Sequence, residues 1–96
     1  MHVISKKKVI DFAKRHPNAA SPLFSWYKIV NLNNFHNFNE LRNLLPSADQ
    51  VGKYTVFNIG GNNYRLIAVI HYNRTKLYIR EILTHSEYDS EKWKEK

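Results

Sequence analysis

The pattern of side chains changes at about Lys53, and this change constrains the fold more than any other feature of the sequence. Three later segments are short and rich in β-branched and aromatic residues, as strands are. They cover residues 54–59, 64–72 and 76–83. The segments are separated by Gly-Gly-Asn at 60–62 and Asn-Arg-Thr at 73–75, and glycine and asparagine suit tight turns. The sequence therefore predicts a three-stranded antiparallel meander.

The residues before Lys53 show helical spacing instead. After a short first strand over residues 1–4, Ser5 is placed to cap a helix that runs to about His16, where Pro17 stops it. A second helix is predicted to begin near Ser21-Pro22, with proline at its first position. Its buried stripe consists of Leu23, Trp26, Tyr27 and Val30.

An asparagine-rich loop follows, and Asn39 is predicted to cap a short helix over residues 40–45. Thr84 and Glu87 have the spacing of a capping box, which predicts a further short helix at the C-terminal end. The element order β-α-α-(α)-β-β-β indicates class α+β: a small, mostly antiparallel sheet of the first strand and the meander, packed against two or three helices.

Composition limits the classes of function. The length of 96 residues predicts one domain, 1–96. The absence of cysteine excludes a disulfide, a thiolate zinc site and a catalytic cysteine. The sequence has no apolar run near 18 residues and no apolar stretch typical of a signal peptide at its start, so we expect a cytoplasmic protein. The histidines lack metal-binding spacing, so neither a metal nor a cofactor is expected.

The charge balance points to a polyanionic partner. Lysine and arginine number 15 against 8 acidic residues, which gives a formal net charge of +7. Such a field attracts polyanions and speeds the encounter with them, so nucleic acid is the first partner to consider. The alternative is that the charge serves solubility alone.

Charged side chains inside the predicted strands are the first candidates for a site. Arg65 lies in the second strand of the meander and Arg80 in the third. An even-length loop between these strands would place both on one face, where two guanidinium groups form a phosphate clamp. That face would hold Arg65, Ile67, Val69, Tyr78, Arg80 and Ile82. The alternative for each arginine is a surface ion pair, for instance with Glu81 or Glu87.

His85 lies where the last strand meets the predicted C-terminal helix, and Tyr88 is three residues further along the same helical face. Histidine is the side chain best suited to proton transfer near pH 7, although an exposed histidine without function is the alternative. Without a metal, the chemistry open to such residues is RNA cleavage by the RNA's own 2′-hydroxyl. A consecutive run of lysines at 6–8 opposes the dipole of the first helix, and a phosphate backbone is one candidate partner for it.

Three segments of the chain resemble the HigB-type toxins of the RelE superfamily: KYTVFNIGGNNYRLI at 53–67, YIREI at 78–82 and THSEYD at 84–89. The opening Met-His-Val-Ile and the region of Trp26 are similar too. The resemblance implies a RelE-like fold and the toxin of a type II toxin–antitoxin system. Such a toxin would be a metal-independent mRNA interferase that cleaves translated messages on the 70S ribosome and so inhibits translation. Its partner would be a HigA-type helix-turn-helix antitoxin, and operator DNA would be bound only through the complex.

The resemblance also implies roles for residues. Arg65 and Arg80 would stabilise the phosphate, His85 would transfer the proton, and Lys53 and Tyr88 would supply charge and orientation. RNA-binding candidates are Lys6, Lys7, Lys8, Asn62 and Lys76. Two alternatives stay open, namely a noncatalytic module that binds RNA or the ribosome, and a degenerate family member that serves as a partner or scaffold.

Overall fold

The computed structural model describes residues 1–95 of the chain, with side chains through residue 94; Lys96, the last residue of the predicted domain, lies outside the described residues. The helices are α1 (Lys6–Arg15), α2 (Pro17–Leu32), α3 (Phe38–Leu44) and α4 (His85–Asp89). The strands are β1 (His2–Ile4), β2 (Asp49–Val51), β3 (Tyr54–Ile59), β4 (Tyr64–His71) and β5 (Lys76–Thr84). Short 3₁₀ turns cover Tyr72–Arg74 and Lys92–Glu95.

The five strands form one sheet in the order β1-β5-β4-β3-β2. The predicted meander of β3, β4 and β5 is confirmed, with Phe57 opposite Leu66 in its first hairpin. β1 joins β5 in parallel, with Val3 opposite Leu77. β2, an antiparallel partner of the start of β3, was not predicted. It is only three residues long, and Asp-Gln-Val carries no alternating apolar pattern.

Helices α1, α2 and α3 cover one face of the sheet, as class α+β predicts. The core between the layers contains Phe12 of α1, Leu23 and Trp26 of α2, and the helix-facing side chains of β3 and β4, among them Phe57 and Leu66. Phe57 and Trp26 meet edge to face at 5.3 Å between ring centroids. Because this face of the sheet is buried, a large partner can contact only the other face, the edges of the sheet or the outer surfaces of the helices.

The second face of the sheet is partly covered by the C-terminal segment. Tyr54, Val56, Ile67 and Trp93 are buried there in a second apolar cluster, which Tyr88 and Leu83 extend. The sequence did not predict this cover, because no periodic pattern marks the residues after α4 as part of a core. Trp93, which is 5% exposed, closes part of it.

The second helix begins four residues earlier than predicted, at Pro17 rather than near Ser21-Pro22. The backbone N–H groups in the first turn of a helix have no intrahelical partner, so proline, which lacks this group, is suited to begin α2 at Pro17. The same residue also ends α1. Pro22 then lies inside the helix, early enough that it removes a single intrahelical hydrogen bond.

Two predicted caps are wrong in detail. Ser5 precedes α1 with a left-handed φ of 78°, and its side chain makes no capping hydrogen bond. Asn37, not Asn39, caps α3, because its side chain accepts a hydrogen bond from the Glu40 backbone N–H at 2.9 Å. In residues 1–95 no helix combines the length and the apolarity that crossing a bilayer requires.

Candidate active site

A β-bulge fixes which side chains of β4 and β5 share a face. The loop between paired His71 and Lys76 has the predicted even length, and Val69 lies opposite Tyr78. The register then shifts at Ile67/Ala68, so that Arg80 has no Cα partner and Arg65 lies opposite Leu83. The prediction for Ile82 is therefore wrong. Ile82 lies opposite Leu66 and packs against the helix-facing core.

A groove of about 460 Å³ opens on the second face of the sheet, between the α3–β2 segment and α4. Its lining residues are Arg42, Pro46, Ser47, Ala48, Asp49, Val56, Asn58, Arg65 and Tyr88. We call it the Arg65 groove. Asn58 and Arg65 are directly opposite each other on β3 and β4, so they form its floor together with Val56. Two guanidinium groups, a carboxamide and a phenol thus share a space open to solvent.

Arg65 is half-buried and held from two sides. Its guanidinium carbon lies 5.3 Å from the centre of the Tyr88 ring, a cation–π distance. Its Nη1 donates a hydrogen bond to the Tyr64 carbonyl at 3.1 Å. A guanidinium has five N–H donors, so most of them remain available for a phosphate. The side chain is therefore positioned before any ligand arrives, as an electrostatic stabiliser requires.

Tyr88 belongs to a row of rings and cations that runs across the second face. Its ring stacks on Trp93 at 5.2 Å and 15°, and Trp93 meets Tyr54 edge to face at 5.7 Å. Lys53 ends the row, with its Nζ 5.3 Å from the centre of the Tyr54 ring. We call this set the aromatic row. It connects three of the predicted catalytic residues, namely Arg65, Tyr88 and Lys53. Trp93 is 5% exposed, so its ring has no free face on which an RNA base could stack.

α4 is fixed at its start by the predicted capping box, which is confirmed. The Thr84 hydroxyl accepts from the Glu87 N–H at 3.2 Å, and the Glu87 carboxylate accepts from the Thr84 N–H at 2.9 Å. This second hydrogen bond is the main reason why the pKa of Glu87 lies below its ordinary value; the hydrogen bond with the Thr84 side chain and the nearby Arg15 add to the effect. The backbone N–H of His85 donates to the Asn63 carbonyl at 3.0 Å, which ties α4 to the β3–β4 turn.

His85 is the first residue of α4, and its side chain is 51% exposed. Its Nδ1 lies 2.8 Å from the Asp89 carboxylate, one helical turn later. The carboxylate holds the ring through Nδ1, so Nε2 remains for proton exchange with a substrate or solvent. A histidine oriented by a carboxylate is a common arrangement for general acid–base chemistry. No pattern in the sequence marked Asp89 as the partner of His85.

Arg80 lies apart from the Arg65 groove. It lines a small cavity with Tyr54, Ile67, Glu81 and Trp93, and a second one beside α1. The second guanidinium of the Arg65 groove is that of Arg42, whereas Arg80 lines other cavities. The two-arginine phosphate clamp of Arg65 and Arg80 stays a prediction. The ion pairs that the structure describes are His36–Glu40, His85–Asp89 and Lys94–Glu91, and none of the three involves an arginine.

The predicted RNA-binding residues fall into separate regions. Asn62 is exposed in the β3–β4 turn, at the end of the sheet where His85 lies. Lys76 lies at the opposite end of β5, next to His71. The run at 6–8 is exposed in the first turn of α1; Lys6 lies 4.8 Å from the Tyr27 ring and Lys8 donates to the Arg80 carbonyl at 3.2 Å. Lys76 is thus the candidate furthest from α4 along β5.

Sequence reasoning missed Arg42, Asn58 and Asp49 of the Arg65 groove. Arg42 is in α3 and Asp49 in β2, and neither residue has a local pattern that marks it as functional. They reach the groove only because α3 and β2 pack beside β3. Within the described residues, no three His, Asp or Glu side chains come together in a way that would hold a metal ion.

Comparison with known proteins gives consistent matches. A family model described as HigB_toxin, the RelE-like toxic component of a toxin-antitoxin system, matches residues 19–91. The mRNA interferase toxin HigB of Escherichia coli K12 is 35% identical over 92 residues, a match that covers 93% of this chain and 88% of that protein. The mRNA interferase HigB of Shigella flexneri matches with the same identity and coverage.

Proposed function

Because the chain belongs to the HigB family, the RelE-like toxic component of toxin–antitoxin systems, we propose that it is an endoribonuclease that cleaves mRNA. The observation that supports this most directly is Arg65, half-buried against Tyr88 in an open groove beside α4, where His85 is oriented by Asp89. These groups are the cation and the proton-transfer residue that metal-independent RNA cleavage needs.

The reaction proceeds by attack of a ribose 2′-hydroxyl on the adjacent phosphorus. A base removes the 2′-hydroxyl proton, a P–O2′ bond forms, and the P–O5′ bond breaks after an acid has protonated the leaving oxygen. The products are a 2′,3′-cyclic phosphate and a 5′-hydroxyl end. Arg65 stabilises the additional negative charge on the phosphoryl oxygens, and His85 Nε2 exchanges the proton. DNA lacks the attacking hydroxyl, so the reaction is confined to RNA.

The remaining groove residues hold the substrate. Tyr88 presents a phenol beside Arg65 for orientation of the phosphate or contact with a base, and Asn58 offers both a donor and an acceptor to a base edge. Arg42 supplies a second cation in the Arg65 groove. Lys53 contributes positive charge at the end of the aromatic row, and Arg80 contributes it at the side, next to Tyr54 and Trp93.

The family also suggests the substrate, the protein partner and the cellular location. The substrate is mRNA under translation on the 70S ribosome, and Lys6, Lys7, Lys8, Asn62 and Lys76 contact RNA around the site. A HigA-type helix-turn-helix antitoxin neutralises the single toxin domain in the bacterial cytoplasm, and operator DNA is reached only through that complex. The formal net charge of +7 supports a polyanionic substrate.

The test is expression of the wild type, Arg65→Ala and the matched control Arg74→Ala, followed by mapping of 5′ ends in cellular messages. Arg74 is also an arginine of the meander, but it is exposed in the turn before β5 and lines no part of the Arg65 groove. We expect new 5′-hydroxyl ends inside coding regions with the wild type and Arg74→Ala. With Arg65→Ala the cleavage rate should fall about 10²–10³-fold, the effect of removing one preorganised charge stabiliser.

Circular dichroism of the three purified proteins establishes that the variants are folded. Growth arrest with intact messages in the wild type would replace the nuclease by a noncatalytic module that binds the ribosome. Full cleavage by Arg65→Ala would place the site elsewhere on the molecule.

A further inference from the structure

The Arg65 groove contains one carboxylate among its positive charges. Of residues 1–95, those that line it include two arginines, Arg42 and Arg65, and a single acidic residue, Asp49. A carboxylate repels the phosphates of an RNA strand, so it weakens a groove whose only task is to hold the RNA backbone. Asp49 is suited to a different kind of partner, namely a hydrogen-bond donor that carries no negative charge.

The register of the sheet places Asp49 on the second face. Asp49 is the first residue of β2 and lies opposite Val56 of β3, and opposite residues of an antiparallel pair direct their side chains to the same face. Val56 belongs to the buried cluster on the second face, so Asp49 belongs to that face as well. Asn58 is two residues further along β3, on the same face, and lies opposite Arg65 of β4.

Arg65, Asn58 and Asp49 therefore lie in this order on three neighbouring strands, β4, β3 and β2. Neighbouring strands are about 4.8 Å apart, so the first and the last of the three are separated by roughly 10 Å. This separation is similar to the reach of one nucleotide from its phosphate to the outer edge of its base. The groove of about 460 Å³ has the size of a small-ligand site, so a phosphate held by Arg65 brings an adjoining base towards Asn58 and Asp49.

The carboxylate of Asp49 is held by the backbone but keeps an acceptor for a ligand. Its Oδ1 accepts a hydrogen bond from the Gln50 backbone N–H at 3.0 Å. None of the three ion pairs that the structure describes in residues 1–95 involves Asp49, although two arginines line the same groove. Oδ2 is therefore available to accept a hydrogen bond from a substrate, and an ionised carboxylate has no hydrogen of its own to donate.

The bases of RNA differ in what they offer to a carboxylate. Adenine, cytosine and guanine carry an exocyclic amino group, which donates to it, whereas uracil presents carbonyl oxygens, which it repels. We propose that Asp49 determines base specificity in the Arg65 groove: it accepts a hydrogen bond from the amino group of the base beside the cleaved phosphate, and the groove therefore selects against uracil. The proposal rests on the proposed function, because it concerns the base next to the phosphate that Arg65 stabilises. The carboxamide of Asn58 both donates and accepts, so it does not make this selection.

Cytosine and uracil are matched probes for this selection, because their rings have the same size and differ in the amino or carbonyl group at C4. Tetranucleotides of either base with 2′-O-methyl riboses have no attacking hydroxyl, so their binding to the protein is measured without cleavage. By fluorescence anisotropy, the wild type should bind the cytidine tetranucleotide at least about fivefold more tightly than the uridine one. In Asp49→Asn this difference should shrink to within about twofold, because a carboxamide also donates to the uracil carbonyl.

Asp11→Asn is the matched control. It removes the same negative charge, but Asp11 is in α1 and lines a different cavity, not the Arg65 groove. This variant should bind both tetranucleotides more tightly to the same extent and keep the preference for cytosine, because the charge acts on the phosphates alone. Equal binding of the two tetranucleotides by the wild type, an unchanged preference in Asp49→Asn, or an equal loss of preference in Asp11→Asn would each overturn the proposal.

Cleavage is scored separately, on translated messages that carry cytidine or uridine at each of the two nucleotides beside the cut. At one of these positions the wild type should cleave the cytidine message at least about fivefold faster, and Asp49→Asn should cleave both messages at similar rates. Equal cleavage by the wild type at both positions would place Asp49 outside the productive site and overturn the proposal. A protein that prefers cytosine in binding but cleaves no message would contradict the proposed function alone.

Discussion

At the scale of single residues, the site depends on pairs in which one side chain orients another. Tyr88 holds the guanidinium of Arg65 at 5.3 Å, and Asp89 holds the imidazole of His85 at 2.8 Å. Tyr88 and Asp89 are adjacent in α4, so one short helix positions both the proposed cation, Arg65, and the proposed proton-transfer group, His85. A change in either partner should therefore alter the rate more than it alters the fold.

Replacement of His85 by glutamine keeps a polar side chain of similar length but removes the titrating ring. Single-turnover cleavage of a translated message should slow by about 10²–10⁴-fold, the usual contribution of a general acid or base. Asp89→Asn should cause a smaller loss, because it keeps the imidazole but removes the charge that orients it.

Glu91→Gln serves as the control, since Glu91 lies just beyond α4 and pairs with Lys94 rather than with a candidate catalytic residue. An unchanged rate in His85→Gln would assign proton transfer to another group. A full rate in Asp89→Asn together with a slow His85→Gln would show that the imidazole needs no orienting carboxylate.

At the scale of secondary structure, α4 is too short to be stable alone. Five residues are far fewer than an isolated helix needs in water, so its position depends on what holds its ends. The capping box fixes the N-terminal end, and the Tyr88 carbonyl accepts a hydrogen bond from Trp93 Nε1 at 3.0 Å at the other. The geometry of the site is therefore determined by contacts that do not touch substrate.

Thr84→Ala removes the hydroxyl that accepts the Glu87 N–H. Loss of an N-cap side chain costs about 1 kcal/mol, and the amides of α4 should exchange faster by a corresponding factor of about five. Cleavage should slow as well, because His85 and Tyr88 both lie on α4. Thr75→Ala, in the turn before β5, is the matched control; equal exchange of the α4 amides in both variants would contradict a capping role for Thr84.

The same cap should weaken in acid. The pKa of Glu87 is lowered in the folded protein, chiefly by the hydrogen bond from the Thr84 N–H. The stabilisation is therefore fully present above the ordinary pKa of a glutamate and is lost as the pH falls below about 4 through the lowered folded value. In Glu87→Gln the free energy of unfolding should change less with pH than in the wild type, as measured by urea unfolding between pH 3 and about pH 6. An equally steep pH dependence in Glu87→Gln would assign the acid sensitivity to other carboxylates.

The elements that the sequence predicted correctly are those with a strong local signal. Alternation and paired glycines marked the meander, and Thr-x-x-Glu marked α4. The bulge at Arg80 has no such signal, because β-branched residues lie on both sides of it and an extra residue changes only the pairing across strands. This single extra residue explains why Ile82 was assigned to the wrong face of the sheet.

At the scale of the whole molecule, charge is distributed unevenly. Several carboxylates are engaged close to their own position in the chain: Glu40 with His36, Glu87 with the Thr84 backbone, Asp89 with His85 and Glu91 with Lys94. None of these described pairs involves an arginine. Local neutralisation of acids leaves the excess of lysine and arginine to act on a distant polyanion.

Binding to single-stranded RNA should therefore weaken steeply with salt, with a slope of about 0.7 logarithmic units for each phosphate that the protein neutralises. In the His85→Gln background, in which we expect slow cleavage, Lys6→Gln/Lys7→Gln should lower that slope by roughly 1.4 if both lysines contact phosphates. Lys14→Gln/Lys28→Gln removes the same charge from exposed helix positions outside the predicted set. Equal slopes for the two double variants would show that the first turn of α1 contacts no RNA.

The sequence did not predict that the C-terminal segment covers part of the second face of the sheet. Class α+β and helices on one face followed from the order of the elements. The burial of Trp93 against Tyr54 and Tyr88 did not, because a lone tryptophan in a lysine-rich tail carries no periodic pattern and its partners are distant in the chain.

The order of the elements has a consequence for biosynthesis. Residues 1–83 contain nearly all of the sheet and the three large helices, whereas His85, Tyr88 and Trp93 are added afterwards. Since a chain leaves the ribosome from its N-terminus, a nascent toxin can assemble its sheet while the proton-transfer residue and the support for Arg65 are still being synthesised or are enclosed in the exit tunnel. A ribosome that makes this protein would thus have translated at least residues 1–93 before the product holds the complete proposed site.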